Sequence, residues 1–346
     1  MSRPFHCGLV VGKFCPLHLG HELLIRSARA QCHDVVVLSY TKPGFDRYDE
    51  ERRAGWLRAR FPDLQVHVID DHWLATRCEH RGLAPRTVPT DDEPDDVHRH
   101  FVAWLLLDLL GIRVDAVFTS EDYGDGFAAV LAQVFGWPVR HVCVDRARTR
   151  APVSGSLVRQ DPTACRHLLS PEVYGDLMPR IALLGGESTG KTTLAQALAE
   201  ALNTVWVPEF GREYWEQRSG VLAFEDMEYI ARTQVDREQQ QALAAHRWLI
   251  CDTTPLTTLL YSEAMFGHGS EALVRLARRP YTMTFLCSAD FPFQQDGTRR
   301  EAAFRDIQQA WYRDALDARR IAFEPLGGST DHRVDRVLEI IHKATA

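Results

Sequence analysis

The chain has 346 residues, of which 45% are hydrophobic and 25% charged, proportions that are ordinary for a globular protein. A chain of this length predicts two domains, each large enough to bury its own core. The formal net charge of −7 gives no indication of a nucleic-acid-binding surface, so no nucleic-acid partner is expected.

Cysteine usage and hydropathy both bear on the cellular compartment of the protein. The eight cysteines are scattered without a CxxC pair, which favours a reducing environment over a disulfide framework or a zinc site. The N-terminal residues lack the long apolar stretch of a signal peptide. The most apolar later segment, residues 101–112, is too short to span a bilayer and carries Asp108. We therefore expect a cytoplasmic protein without a membrane span.

Short apolar strands alternate with helical patterns through the first half of the chain. Strands separated by helices form parallel sheets covered on both faces, so this half is predicted to be a doubly wound α/β domain. The predicted strands lie at residues 8–11, 35–39, 66–69, 116–119 and 139–144. The predicted helices lie at residues 22–31, 50–60, 97–110 and 127–135.

The alternation breaks at residues 161–179, where three prolines interrupt regular structure. We place a boundary there and predict domains at residues 1–170 and 175–346, the second also a doubly wound parallel-sheet domain. Its predicted strands lie at residues 181–184, 205–207, 248–251 and 281–286. Its predicted helices lie at residues 192–202, 224–246 and 299–318, with a closing helix that Ser329 or Thr330 caps and that runs to about Lys343.

A histidine motif, GKFCPLHLGH at residues 12–21, lies between the first strand and the first helix. Adenylyl transfer from ATP attacks the α-phosphate and expels pyrophosphate, so negative charge grows on phosphate oxygens. His18 and His21 are spaced to reach those oxygens together, and Gly20 lets the backbone come close at a helix end that favours anions. Lys13 adds a positive charge. The alternative is an ordinary pair of polar residues at a turn.

The string resembles the GxFxPxHxGH motif of the nucleotidyltransferase superfamily, which implies a Rossmann-like domain. Those enzymes carry a second motif, S-x-[ST]-x-x-R, and residues 153–159 fit it. Its hydroxyl and guanidinium groups would bind the β- and γ-phosphates of ATP. An acidic loop at residues 119–124 follows another strand, where open parallel sheets bind ligands, or is a solvated loop only. The predicted ATP contacts of this domain are Gly12, Phe14, Gly20, Ser154, Ser156 and Arg159.

A phosphate-binding loop, GGESTGKT at residues 185–192, lies between a predicted strand and a predicted helix, which is the context this motif requires. Its backbone N–H groups cradle phosphates, Lys191 bridges the β- and γ-phosphates, and Thr192 holds Mg²⁺. The predicted ATP contacts of this domain are Gly185, Glu187, Ser188, Thr189, Gly190, Lys191, Thr192 and Thr193.

Three further side chains complete a candidate kinase site. Asp252 ends an apolar strand and is a second candidate ligand for Mg²⁺. Glu209 follows another strand and is placed to orient or deprotonate an acceptor hydroxyl. Arg299 precedes a polar helix and would meet the transferring phosphoryl group. Each has a structural alternative. Strands often end in Asp without a metal, so Asp252 is alternatively an ordinary strand end. Glu209 is alternatively part of a solvated helix start, and Arg299 part of a basic helix start.

The order of these motifs resembles the NadR family, whose members join a nicotinamide mononucleotide adenylyltransferase to a ribosylnicotinamide kinase. The resemblance covers nearly the whole chain, and the residues that carry it include 211–213, 251–253 and 296–299. It implies that Glu209, Arg212 and Tyr214 bind the kinase substrate. It also implies small-molecule partners: ATP, ribosylnicotinamide, nicotinamide mononucleotide and NAD.

Three features depart from the family pattern. Some relatives begin with a helix-turn-helix DNA-binding domain, for which we expect no room before the first strand. Relatives carry a tryptophan before the acid aligned with Glu209, whereas this chain has Pro208. They read Asp-Thr-Asp where this chain has Thr254 as the third residue. A flat cationic ring favours an aromatic face, so the candidates for stacking on nicotinamide are Trp206, Phe210, Tyr214 and Trp215.

The resemblance implies two consecutive reactions. The second domain would phosphorylate ribosylnicotinamide with Mg-ATP, and the first would join the product to AMP from another ATP, giving NAD and pyrophosphate. Motifs for ATP do not identify the acceptor, so a fusion that acts on another small alcohol or nucleoside stays open. An NAD-sensing regulator with little turnover is the alternative outside the enzyme class. The patterns do not determine whether the chain forms a homo-oligomer.

Overall fold

A computed structural model describes residues 3–290 and 302–345 of the chain. The chain divides into two compact units, Met1–Val173 and Tyr174–Ala346. Each unit contains a five-stranded parallel sheet with helices packed against it. This α/β architecture agrees with the fold class that the alternation of strands and helices predicts.

The first sheet has the strand order β3-β2-β1-β4-β5. Its central strand β1 pairs with β2 on one side, where Gly8 lies opposite Val35, and with β4 on the other, where Gly8 lies opposite Ala116. The order therefore reverses beside β1, and such switch points are where open sheets bind ligands at the carboxyl ends of strands. The strands are β1 (Phe5–Gly12), β2 (Cys32–Ser39), β3 (Gln65–Val68), β4 (Ala116–Thr119) and β5 (Arg140–Cys143).

The helices of the first unit pack apolar side chains against the faces of this sheet. Leu9, Val36 and Phe101 belong to one buried cluster of the core. The helices are α1 (Leu19–Gln31), α2 (Glu50–Arg60), α3 (Asp71–Arg81), α4 (Asp95–Trp104, continued by a π-helical turn at Leu105–Leu110), α5 (Gly124–Phe135), α6 (Gly155–Gln160) and α7 (Pro171–Leu177), which reaches into the second unit.

The second sheet has the order β10-β9-β6-β8-β7, with β6 at its centre. From β6 the chain passes to the edge strand β7, returns to β8 beside β6, and then crosses to β9 and β10 on the other side, so this order also reverses beside the central strand. The strands are β6 (Arg180–Leu184), β7 (Trp206–Val207), β8 (Leu249–Asp252), β9 (Met283–Cys287) and β10 (Glu324–Leu326).

Helices cover both faces of the second sheet, and two buried apolar clusters lie beneath them. One includes Leu183, Leu194 and Val337, and the other includes Leu184, Met227 and Leu316. The helices are α8 (Lys191–Ala201), α9 (Phe210–Gln217), α10 (Phe224–Ala242), α11 (Pro255–Phe266), α12 (Glu271–Leu276), α13 (Ala302–Ala318) and α14 (Thr330–Thr345). In the ranges 3–290 and 302–345, no helix is long and apolar enough to cross a bilayer.

The structure adds short elements that the sequence patterns did not predict. Helix α3 begins where Asp70 accepts a hydrogen bond from the Trp73 N–H at 2.6 Å, but only Leu74 and Cys78 of this helix are buried, so its apolar periodicity is weak. Helix α7 lies inside the predicted break. Pro171 is its first residue, a position where the missing N–H of proline costs nothing.

Candidate active sites

The histidine motif forms a loop at the carboxyl end of β1 and the first turn of α1. Nδ1 of His18 accepts a hydrogen bond from the His21 N–H at 3.4 Å, so His18 caps the helix. The two imidazole rings stack with their centroids 3.7 Å apart. Because Nδ1 of His18 accepts, the proton of the neutral ring lies on Nε2, which is the nitrogen that can donate to another group.

Both histidines are neutral near pH 7. Burial lowers the pKa of His18 to about 4, with a further contribution from Arg148. Burial also lowers the pKa of His21 well below its ordinary value, and His18 and Arg148 act in the same direction. The pair is therefore suited to donate hydrogen bonds to phosphate oxygens as neutral imidazoles, without carrying positive charge.

The glycine between the histidines lies in close packing. A Cβ atom on Gly20 would lie 3.2 Å from the His18 ring and 3.3 Å from Cγ1 of Val153. A Cβ atom on Gly12 would lie 3.2 Å from the ring of Phe14, which is fully buried. Gly20 lets the loop that carries the histidines lie directly against Val153 of the second motif, and Gly12 leaves room for the Phe14 ring within the loop.

The two predicted motifs of the first unit line one cavity of about 480 Å³. Nη1 of Arg159 donates to the Cys15 carbonyl, and its Nη2 donates to Oγ of Ser156 at 3.0 Å. The Arg159 guanidinium also lies 4.4 Å from the ring centre of Phe45. Oγ of Ser154 accepts the Leu157 N–H at 3.2 Å and so caps α6. The predicted residues that line this cavity are Gly12, Lys13, Phe14, His18, Gly20, His21, Ser154, Ser156 and Arg159.

Lys13, the positive charge expected beside the histidines, forms an ion pair. Its Nζ lies 2.8 Å from Oδ2 of Asp91. Asp91 is held in turn by the Thr41 hydroxyl at 2.9 Å and the Lys42 N–H at 3.3 Å. Burial opposes the charge on Asp91, but the hydrogen bonds from Lys13, Thr41 and Lys42 hold the pKa of this carboxyl below its usual value. Asp91 therefore fixes Lys13 at the edge of the cavity.

The acidic loop after β4 also reaches this cavity, through Ser120, Glu121 and Tyr123. Glu121 forms an ion pair of 3.0 Å with Arg148, the same arginine that depresses the pKa values of both histidines. Below the loop, Nε2 of His141 lies 2.8 Å from the Thr119 hydroxyl. The loop thus lines the same cavity as the histidine pair, and its Glu121 pairs with the arginine that lowers the pKa values of both histidines.

The phosphate-binding loop of the second unit joins β6 to α8, as predicted. Gly185 has φ of 140°, and a Cβ atom there would lie 2.7 Å from the Cys287 carbonyl oxygen, so no other residue fits. Nζ of Lys191 donates to the carbonyls of Gly185 at 2.8 Å and Gly186 at 2.9 Å. The Lys191 side chain therefore folds back over the loop whose bound phosphates it is predicted to contact.

The two predicted Mg²⁺ ligands lie together. The Thr192 hydroxyl donates to Oδ2 of Asp252 at 2.6 Å. Oδ1 of Asp252 is buried and has no hydrogen-bond partner among the described residues, and burial raises the pKa of this carboxyl although Lys191 opposes the shift. A hydroxyl beside a carboxylate with an unused oxygen fits Mg²⁺, which is usually held by one or two carboxylates together with phosphates. Residues 3–290 and 302–345 contain no group of three or more His, Cys, Asp or Glu that could hold a metal.

A second cavity, of about 390 Å³, opens beside the phosphate-binding loop. Glu187 and Lys191 line it from the loop, and Glu209 and Arg212 line it from the start of α9. Burial and the nearby Asp252 raise the pKa of Glu209, whereas Lys191 lowers it. A carboxylate with a raised pKa beside a lysine is the arrangement that suits a general base.

Several predicted site residues do not line this cavity, among them Ser188, Thr189, Gly190, Thr192, Thr193 and Asp252. The Tyr214 hydroxyl donates to Asp226 at 2.9 Å, its ring packs against Phe210 and Tyr229, and Tyr214 is not a lining residue. Of the four aromatic candidates for stacking, Trp215 lines the cavity. Arg299 lies outside the described residues.

Several residues that support the phosphate-binding loop carry no local sequence signal. Oε1 of Gln308 accepts the Glu187 N–H at 2.8 Å, and Nε2 of Gln308 donates to the Tyr261 hydroxyl at 2.6 Å. Arg333 is 1% exposed and donates to the Thr189 carbonyl at 2.7 Å. Each lies more than 100 residues from the loop along the chain, so no spacing rule connects it to the motif.

Comparison with known proteins gives matches along the chain. A family model described as an AAA domain matches residues 180–333. The trifunctional NAD biosynthesis/regulator protein NadR of Escherichia coli (strain K12) is 27% identical over 304 residues, which are 84% of this chain and 71% of that protein. This chain is homologous to NadR. The NadR protein of Salmonella typhimurium (strain LT2) is also 27% identical, over 86% of this chain and 72% of that protein.

Solved NadR structures share the fold over both units. A crystal structure of NadR in complex with NR covers 99% of this chain and 96% of its own, with a TM-score of 0.64 and 18% identity. A structure of NadR in complex with NAD and AMP-PNP has the same coverage, with a TM-score of 0.61 and 18% identity. The fold of these structures is thus shared by the unit with the histidine motif as well as by the unit with the phosphate-binding loop.

Proposed function

We propose that the chain is a bifunctional enzyme of NAD biosynthesis and salvage. In this proposal the second unit phosphorylates ribosylnicotinamide with ATP, giving nicotinamide mononucleotide, and the first unit adenylylates that product to NAD with release of pyrophosphate. The observation that carries it is the pair of separate cavities, each beside an ATP-type motif at the carboxyl end of a central strand, in one homologue of NadR. We assign the two activities to domains at residues 1–170 and 175–346.

In the kinase reaction, the 5′-hydroxyl of the nucleoside forms a bond to the γ-phosphorus while the bond to the β-phosphate oxygen breaks and ADP leaves. Glu209 accepts the hydroxyl proton, a role that its raised pKa supports. Lys191 turns from the Gly185 and Gly186 carbonyls to the transferring phosphate. Trp215 offers the cationic nicotinamide ring an aromatic face, and Arg212 lines the same cavity. When Mg²⁺ is bound, Thr192 and Asp252 hold it, and it neutralises phosphate charge.

In the adenylyl transfer, a phosphate oxygen of nicotinamide mononucleotide attacks the α-phosphorus of ATP, and the bond to the β-phosphate breaks to release pyrophosphate. Charge on the phosphate oxygens is stabilised by neutral His18 and His21 as hydrogen-bond donors. Lys13 and Arg159 add positive charge at the same cavity, which favours the binding of the triphosphate.

The direct test is product analysis with the purified protein. Incubation with Mg-ATP and ribosylnicotinamide should give nicotinamide mononucleotide and then NAD, and supplied nicotinamide mononucleotide should give NAD and pyrophosphate. If the protein phosphorylates a different nucleoside but does not phosphorylate ribosylnicotinamide, the proposed substrate is wrong and that nucleoside takes its place. Binding of NAD without formation of either product would favour the sensor alternative.

A further inference from the structure

One polar side chain in the kinase cavity has an unexplained environment. Gln234 lies on α10, is 3% exposed and lines the cavity. Met227 and Ile230 line it from the same helix, at spacings of seven and four residues from Gln234, so the three share one helix face. The other two are apolar, and a buried amide on this face therefore requires hydrogen-bond partners of its own.

One half of this amide is fixed by the protein. Oε1 of Gln234 accepts the Phe210 N–H at 2.9 Å, at the first residue of α9. The reverse orientation would bring two donors together, so this hydrogen bond determines which end of the amide is which. Nε2 of Gln234 is then a buried donor without a hydrogen-bond partner among the described residues. Such a donor is costly to leave unpaired, and a ligand oxygen in the cavity would satisfy it.

The position of Gln234 along the cavity indicates which part of a ligand it meets. It binds the backbone of the residue that directly follows Glu209, so it lies at the end of the cavity where the reacting hydroxyl must be. Met227 lies two helical turns away and belongs to a buried apolar cluster against which Leu222 packs. A neutral amide donor suits an uncharged oxygen such as a hydroxyl, whereas phosphate oxygens are usually met by cations.

We propose that Gln234 is a substrate-binding residue of the kinase site whose Nε2 donates to a sugar hydroxyl of the nucleoside, and that it selects for ribonucleosides. This inference rests on the proposed function for the identity of the substrate. A sugar that lacks the hydroxyl leaves the buried amide unpaired, and sites built around such a hydrogen bond reject the shortened analogue. In this arrangement Gln234 binds a hydroxyl of the sugar, while Trp215 faces the base.

The test compares Gln234→Met with wild type in the full-length chain on three substrates: ribosylnicotinamide and its 2′-deoxy and 3′-deoxy analogues. The wild type should prefer the riboside over one of the analogues. Gln234→Met should lower kcat/KM for the riboside by about tenfold, which corresponds to the loss of one hydrogen bond. The kcat/KM for the disfavoured analogue should change little. Gln240→Met, on the exposed face of α10, is the matched control. NAD formation from nicotinamide mononucleotide, at the other site of the same chain, should stay unchanged in both variants.

An equal loss of kcat/KM for all three substrates would show that Gln234 acts only through the packing of α9. A fourth substrate, altered at the carboxamide of the base, extends the panel; a change in selectivity confined to it would move the contact to the base and overturn the sugar assignment. Gln234→Glu keeps an acceptor for the Phe210 N–H, so the same comparison can be made if the Met variant does not fold. If the wild type rejects ribosylnicotinamide and accepts another nucleoside, that nucleoside and its deoxy analogues replace the panel, which separates failure of the proposed substrate from failure of this inference.

Discussion

At the scale of single residues, Lys13 shows how a motif becomes a site. The sequence places it beside the histidines, but Asp91, 78 positions later, determines where its ammonium lies, at 2.8 Å. The pairing was not predictable, because nothing in the sequence around Asp91 indicates which lysine this carboxylate will face. The spacing of His18 and His21, in contrast, was predictable, because His18 caps α1 and His21 lies in its first turn.

Neutralising Asp91 should impair adenylyl transfer. Asp91→Asn keeps the shape of the side chain but removes the charge that holds Lys13, and a charged hydrogen bond contributes about 1.5–3 kcal/mol. We expect kcat for NAD formation from nicotinamide mononucleotide to fall by about tenfold or more, with kinase turnover unchanged. Asp92→Asn makes the same charge change next to it and is the control. Equal activity of the two variants would show that the Lys13–Asp91 pair has no part in the reaction.

His18 should make stability sensitive to acid. Its pKa is lowered from 6.5 in the unfolded chain to about 4 in the folded protein, so between these values the unfolded state binds the proton more tightly. The stabilisation is therefore complete above pH 6.5 and is lost as the pH falls toward 4. Denaturant unfolding at pH 7 and pH 5 should show that His18→Gln loses less stability on acidification than wild type, by about 2 kcal/mol. Parallel losses in the two proteins would contradict the depressed pKa.

At the scale of elements, the central strands and the helices that follow them were predictable, because their apolar patterns are continuous. Helices α3 and α9 were missed because few of their side chains are buried: two in α3, and in α9 only Phe210. The helix at Pro171 is not predictable from the break in the pattern, because proline usually interrupts helices, although the first turn of a helix tolerates it. Thr254 caps α11 by accepting the Leu256 N–H at 3.2 Å.

Helix α14 supports the phosphate-binding loop through one buried arginine. Arg333 donates to the carbonyls of Thr189, Gly328 and Ser288 at 2.7, 3.0 and 3.0 Å. Arg333→Met would leave these carbonyls unpaired, and we expect it to lower the free energy of unfolding by about 3 kcal/mol and to weaken kinase turnover. Arg336→Met, on the exposed side of the same helix, should change both by little, since surface ion pairs contribute little. Chemical denaturation and kinase assays of both variants provide the measurement.

At the scale of the whole molecule, two units with separate sheets predict separable domains. The division falls within α7, where the Tyr174 hydroxyl donates to the Ala245 carbonyl and the Gly175 carbonyl accepts from Arg180. Fragments 1–170 and 171–346 keep these contacts, and each is of the size of an independent domain. We expect each to melt cooperatively and to retain adenylyltransferase or kinase activity, respectively. Insolubility of both would show that the units depend on each other to fold.

The central claim, that two ATP sites catalyse two reactions on one chain, is tested most directly by crossing two variants with two substrates. Lys191→Ala should abolish formation of nicotinamide mononucleotide from ribosylnicotinamide but leave NAD formation from supplied nicotinamide mononucleotide largely intact. His21→Ala should lower the latter by about 10²–10³, the usual cost of one donor to a developing negative charge, while kinase turnover persists. Loss of both reactions in either folded variant, or unchanged NAD formation in His21→Ala, would contradict the account.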